Sequence, residues 1–86
     1  MDINQLISLL KSKIEQKILL QSIVIKDKTY LHKKHLSHKE GKFHLKIIIK
    51  SEELKKHNKV QATRIVYNIL GLEMKKYIHS LEILIN

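Results

Sequence analysis

The chain has no cysteine, only two glycines (Gly41 and Gly71), one arginine (Arg64) among seventeen basic residues, and only eight acids. Without a thiol it can form no disulfide, no thiolate nucleophile, no zinc finger and no iron–sulfur site of its own. Two isolated glycines cannot cradle a phosphate. No Gly-x-Ser-x-Gly elbow presents a serine, and no pair of carboxylates is spaced for acid–base work, so catalysis is not expected. Apolar runs stop at three residues, as in Ile18-Leu19-Leu20 and Ile47-Ile48-Ile49, whereas a membrane-spanning helix needs roughly 20. The N-terminus lacks a basic stretch followed by an apolar core, so neither an export signal nor a membrane partner is expected. The expected setting is the cytoplasm, or an organelle matrix in a eukaryote.

What is present is 86 residues, 43% of them hydrophobic, with a formal charge of +9. That is enough apolar material for one globular domain, expected over residues 1–86, and too much for disorder. The charge is concentrated. Residues 26–59 hold eleven Lys against four acids, +7 of the total. A basic surface attracts phosphate by releasing counterions, without reading sequence. Base readout favours the bidentate fork of Arg, which is nearly missing, so the plainer reading is solvated lysine on a small domain.

Asp2 can cap a helix with Gln5 answering it, and Ile3, Leu6, Ile7, Leu10 and Ile14 recur at helical spacing, which predicts a helix over 3–16. The β-branched run Ile23-Val24-Ile25 predicts a strand ending at Asp27. A basic hairpin loop over 28–42 follows, then a second strand, Phe43 to Ile49. Its three consecutive isoleucines suit a strand covered on both faces or the inner strand of a small sheet. Ser51 opens a single turn through Leu54. Asn58 caps a second main helix, with Gly71 in the C′ position and Val60, Ala62, Ile65, Val66, Ile69 and Leu70 as its apolar face. Another turn runs from Glu73 to Tyr77. The last strand spans Ile78 to Ile85, with His79, Leu81, Ile83 and Ile85 expected on one face. The order αββααβ is an α+β arrangement with helices on one face of a three-stranded sheet.

Six histidines are the only metal-ligating side chains other than carboxylates. His32, His35 and His38 stand three apart in the loop and His44 follows on the second strand, but Lys33, Lys34 and Lys39 would repel a cation there. His79 opens an apolar strand, where the plainer reading is a part-buried imidazole bonded to backbone.

Four blocks together resemble the BolA family: Asp27-Lys28-Thr29-Tyr30-Leu31-His32, Phe43-His44-Leu45-Lys46-Ile47-Ile48-Ile49-Lys50-Ser51, Val60-Gln61-Ala62-Thr63-Arg64-Ile65-Val66-Tyr67 and Ile78-His79-Ser80-Leu81. The resemblance runs from about Ile23 to Ile85. It implies a fold like a type II K-homology domain with a mixed sheet, here without the Gly-x-x-Gly loop by which such domains hold nucleic acid. It also implies a non-enzymatic adaptor that binds a monothiol glutaredoxin. The two would share a [2Fe–2S] cluster, with glutathione, in iron–sulfur cluster assembly and trafficking or in iron signalling. A chain without thiols can fill only part of such a cluster's ligand set, the partner and glutathione supplying the rest. Carried over by position, His79 is one ligand and His32 the other, with His35 as fallback. Arg64, Lys59 and Tyr67 are the implied partner contacts. The chain departs from the family pattern at Thr63, where a histidine is usual, and at Lys56-His57-Asn58-Lys59, where a Gly-Lys-Ser-like turn is usual.

The alternative is a DNA-binding transcriptional regulator, also proposed for members of the family. It would use the Ser51–Leu54 turn and the following helix as a helix-turn-helix, with Lys33, Lys34, Lys39, Lys42, Lys55, Lys56, Lys59 and Arg64 on phosphate. Such binding should collapse between low and physiological salt. The cluster complex should instead depend on glutathione and His79.

Overall fold

The computed structural model describes residues 2–29 and 42–86. Within them the order is α1 (Ile3–Lys17), β1 (Ser22–Asp27), β2 (Phe43–Lys50), α2 (Glu52–Lys55), α3 (Lys59–Ile69), α4 (Gly71–Lys76) and β3 (Ile78–Ile85). This is the expected α+β order, the Ser51 turn being the one-turn helix α2.

Local chemistry starts each main helix. The Asp2 carboxylate accepts from the Gln5 backbone N–H at 2.8 Å while the Gln5 side-chain oxygen accepts from the Asp2 N–H at 3.1 Å, a complete capping box. Asn58 Oδ1 accepts from the Gln61 N–H at 2.9 Å and starts α3. The fully buried Ser51 accepts from the Leu54 N–H at 3.1 Å and donates to the Leu19 carbonyl at 2.8 Å, tying α2 to the segment that leaves α1.

The sheet order is β1-β2-β3, with β1 antiparallel and β3 parallel to the central β2. The central isoleucines split by parity: Ile47 and Ile49 are fully buried, whereas Ile48 faces the other way and is half-buried. β2 is therefore an inner strand, not one covered on both faces. Ile25, Leu45, Ile47 and Ile49 pack with Leu6, Leu10 and Ile14 of α1 and Ala62 and Val66 of α3 in one core. Among the described residues no helix is long and apolar enough to cross a membrane.

One expectation is refined and one corrected. Gly71 stands at C′ of α3 as expected, one residue past the Leu70 cap, but without the left-handed backbone usual for a glycine there. Leu70 caps α3, and Gly71 begins α4 without a positive φ, in open space where a Cβ would meet nothing within 4 Å. Leu70 is fully buried in the core, and the Glu73 carboxylate, bonded to Lys13 Nζ at 2.7 and 2.9 Å, ties α4 to α1. The correction is in β3. Phe43 pairs with Ile78 but His44 pairs with Ser80, so the ladder skips His79. His79 is therefore not the first residue of a simple alternation through Leu81, Ile83 and Ile85. Ile78 and Leu81 both meet the core although three residues apart, and the bulge extrudes the surplus residue.

Candidate functional site

The bulge brings two histidines from separate strands together. The His79 ring stacks on that of His44 with centroids 4.8 Å apart and planes 25° from parallel. His44 is buried at 5% exposure, while His79 is exposed, in contrast to the part-buried imidazole of the plainer reading. His44 is held through both its ring and its backbone. Its Nδ1 lies 2.7 Å from the Ser80 hydroxyl, and its backbone N–H donates to Thr29 Oγ1 at 3.1 Å. Thr29 is fixed in turn: its N–H and its hydroxyl both donate to Asp27 Oδ1, at 2.9 and 2.5 Å. The Lys28 N–H donates to the His44 carbonyl at 2.7 Å and closes the strand end. An Asx turn at the end of β1 thus steadies His44, and His44 gives the exposed His79 a flat, rigid neighbour.

Beside the pair lies a cleft of about 280 Å³ bordered by Lys28, His44, Lys46, Ser80 and Glu82. Two of these side chains are cationic and one is anionic. Lys46 and Glu82 approach only to 3.9 Å, both in reach of solvent, so this pair contributes little to stability.

His32 and His35, the loop ligands implied by the resemblance, lie outside the described residues, as do Lys33, Lys34 and Lys39. Lys42 reaches the Lys75 carbonyl at 3.3 Å. Lys55, Lys56, Lys59 and Arg64 are exposed on α2, its C-terminal end and α3, in the helical layer. Tyr67 is half-buried and its hydroxyl donates to the Leu81 carbonyl at 2.6 Å, fastening α3 to β3. Of the implied ligands the described residues thus include His79, and they set it against His44, a residue with no local signal of contact in the sequence. Among the described residues no group of three or more His, Cys, Asp or Glu gathers to hold a metal. The Asp27-x-Thr29 spacing was a legible sign of a turn. The His44–Ser80 pairing was not, because it exists only in the β2–β3 register.

A three-stranded mixed sheet with helices on one side and a stacked imidazole pair at a strand bulge defines a small two-layer α+β fold. The chain belongs to the BolA-like protein family, whose sequence pattern matches residues 14–86. It is similar to BolA1 from Arabidopsis thaliana, with 27% identity over 91% of this chain and 86% of that chain and a TM-score of 0.75. It also shares its fold with the BolA domain of SufE1 from Arabidopsis thaliana, at 23% identity over 92% of this chain and 87% of that one, TM-score 0.77. A third similar fold is a Bol-like protein from Babesia bovis, at 14% identity over 91% of this chain and 79% of that one, TM-score 0.71. Comparison with curated protein sequences finds no match.

Proposed function

We propose that the chain is a non-enzymatic adaptor that binds a monothiol glutaredoxin and shares a [2Fe–2S] cluster with it, serving cluster assembly and trafficking or iron signalling. The observation that carries this reading is His79: an exposed imidazole outside the strand ladder, backed by the buried His44 ring at 4.8 Å. The donor chemistry fits an iron–sulfur group held jointly. This chain has imidazoles and no thiol, so it can complete a ligand set but cannot make one alone. Such a cluster, when bound, supplies iron that accepts nitrogen and thiolate donors. The chain's own contribution is to orient His79 through His44, Ser80 and Thr29. His32 is the proposed second imidazole, with His35 in reserve. No observation favours the DNA-binding alternative.

The test is anaerobic mixing with a cluster-loaded monothiol glutaredoxin and glutathione, followed by visible absorption and circular dichroism. A new spectrum that His79→Ala abolishes is expected, with His32→Ala assigning the second ligand. A spectrum that stays that of the glutaredoxin alone overturns the reading.

A further inference from the structure

The strand registers arrange the side of the sheet away from the helices into successive rungs. His44 and Ser80 make the first, and Lys26, Lys46 and Glu82 the next. Val24, Ile48 and Leu84 follow as a purely apolar rung across all three strands, and Ser22 with Lys50 closes the series. Val24 is 46% exposed and Leu84 40%, so the apolar rung is open to solvent. Adjacent side chains in one row form a patch in a way that scattered surface residues do not. The row is continuous, through the cleft bordered by Lys28, Lys46 and Glu82, with the end of the sheet that carries the stacked imidazoles. A partner whose donor atoms meet His79 therefore has this open face directly in front of it, while Arg64 and Lys59 belong to the helical layer behind.

The charges say what kind of surface fits. Lys26 and Lys46 stand directly opposite each other on β1 and β2, a like-charge cross-strand pair that costs the isolated fold stability. Glu82, at 3.9 Å from Lys46, is the one acid on these rungs, and Lys50 lies beyond the apolar row. Carboxylates from outside would relieve this repulsion and confer specificity. A second copy would bring lysine to lysine. Phosphate would leave the apolar rung without a counterpart.

We infer that the open face of the sheet is the docking surface for the protein partner, which presents an apolar centre over Val24, Ile48 and Leu84 with carboxylates around it for Lys26, Lys46 and Lys50. The inference rests on the glutaredoxin reading and adds to it the face that is covered and the chemistry of the partner's side.

The test uses the ¹⁵N-labelled full chain titrated with cluster-free monothiol glutaredoxin at physiological salt. Amide shifts should concentrate on Lys26, Lys46, Ile48 and Leu84. The double variants Val24→Ser/Leu84→Ser and Lys26→Glu/Lys46→Glu, each first shown to be folded by its amide spectrum, should weaken binding about tenfold or more. Lys17→Glu, at the end of α1, should stay within about twofold, since the charge of an uninvolved surface matters little. Shifts centred on Arg64 and Lys59, with both double variants binding as the wild type does, overturn the docking face and leave the partnership standing. No binding by any form overturns the partnership and this face together. Sedimentation of the chain alone gives a separate check: a dimer dissolved by Val24→Ser/Leu84→Ser assigns the face to a second copy and overturns the inference.

Discussion

The two faces of the sheet are made from alternate residues of the same three strands, yet they answer to different constraints. On the covered face Ile25, Leu45, Ile47 and Ile49 are in the buried core, and Leu81, Ile83 and Ile85 pack against them. On the open face the same backbone carries Lys26, Lys46 and Lys50 around one apolar rung, with His44 and Ser80 at the end. A slip of one position would bury lysines such as Lys46 and expose isoleucines such as Ile47, so the covered face fixes the register for both. The open face is then free to be chosen for what it meets. Stability is concentrated on one parity and recognition chemistry on the other.

The comparison can be broken by substitution. Ile47→Ala, at a fully buried position of the central strand, should cost about 3 kcal/mol in urea denaturation, from lost transfer energy plus the cavity left behind. A loss below about 1 kcal/mol would mean that the covered face is not the seat of stability. Lys13→Met should cost somewhat less, about 2 kcal/mol. It strands the Glu73 carboxylate, 3% exposed, without its cation, though the effect is moderated because Lys13 itself is 35% exposed. The double change Lys13→Met/Glu73→Leu should recover most of that loss, which separates a buried charge from a packing defect. Leu84→Ala on the open face should cost under about 1 kcal/mol while still weakening partner binding. The smallest effect is of opposite sign. Gly71→Ala should stabilise the protein by about 0.5 kcal/mol, because its φ is not positive and nothing crowds its Cβ position.

Most of the element pattern could be read from local chemistry. Asp2 with Gln5, Ser51 and Asn58 mark helix starts through their own side-chain bonds, which need no tertiary partner. The helix expected over 3–16 ends at Lys17, and the strand expected over Phe43 to Ile49 runs one residue further. The strand expected over Ile78 to Ile85 has those bounds. Where reading failed, the deciding force came from elsewhere in the molecule. Gly71 marks the end of α3 as its position suggests, but no local signal shows that α4 starts there, where Glu73 is held by Lys13 of α1. Alternation along β3 could not reveal that His79 would be skipped, because the skip is set by what Phe43 and His44 pair with. The same pairing made the site: His79 was singled out by resemblance, while its neighbours His44 and Ser80 carry no local signal of contact. Lysine placement was equally opaque, since which of sixteen share a face depends on register.

The bulge in β3 also uncouples one residue from the pairing of its neighbours. A residue that the ladder skips can be exchanged without moving Ile78 on one side or Leu81 on the other, because neither depends on it for its pairing. What exchange of His79 removes is its donor atom and its stacking on His44, not a rung of the ladder. The pairing that positions the core and the chemistry of this one residue are set separately.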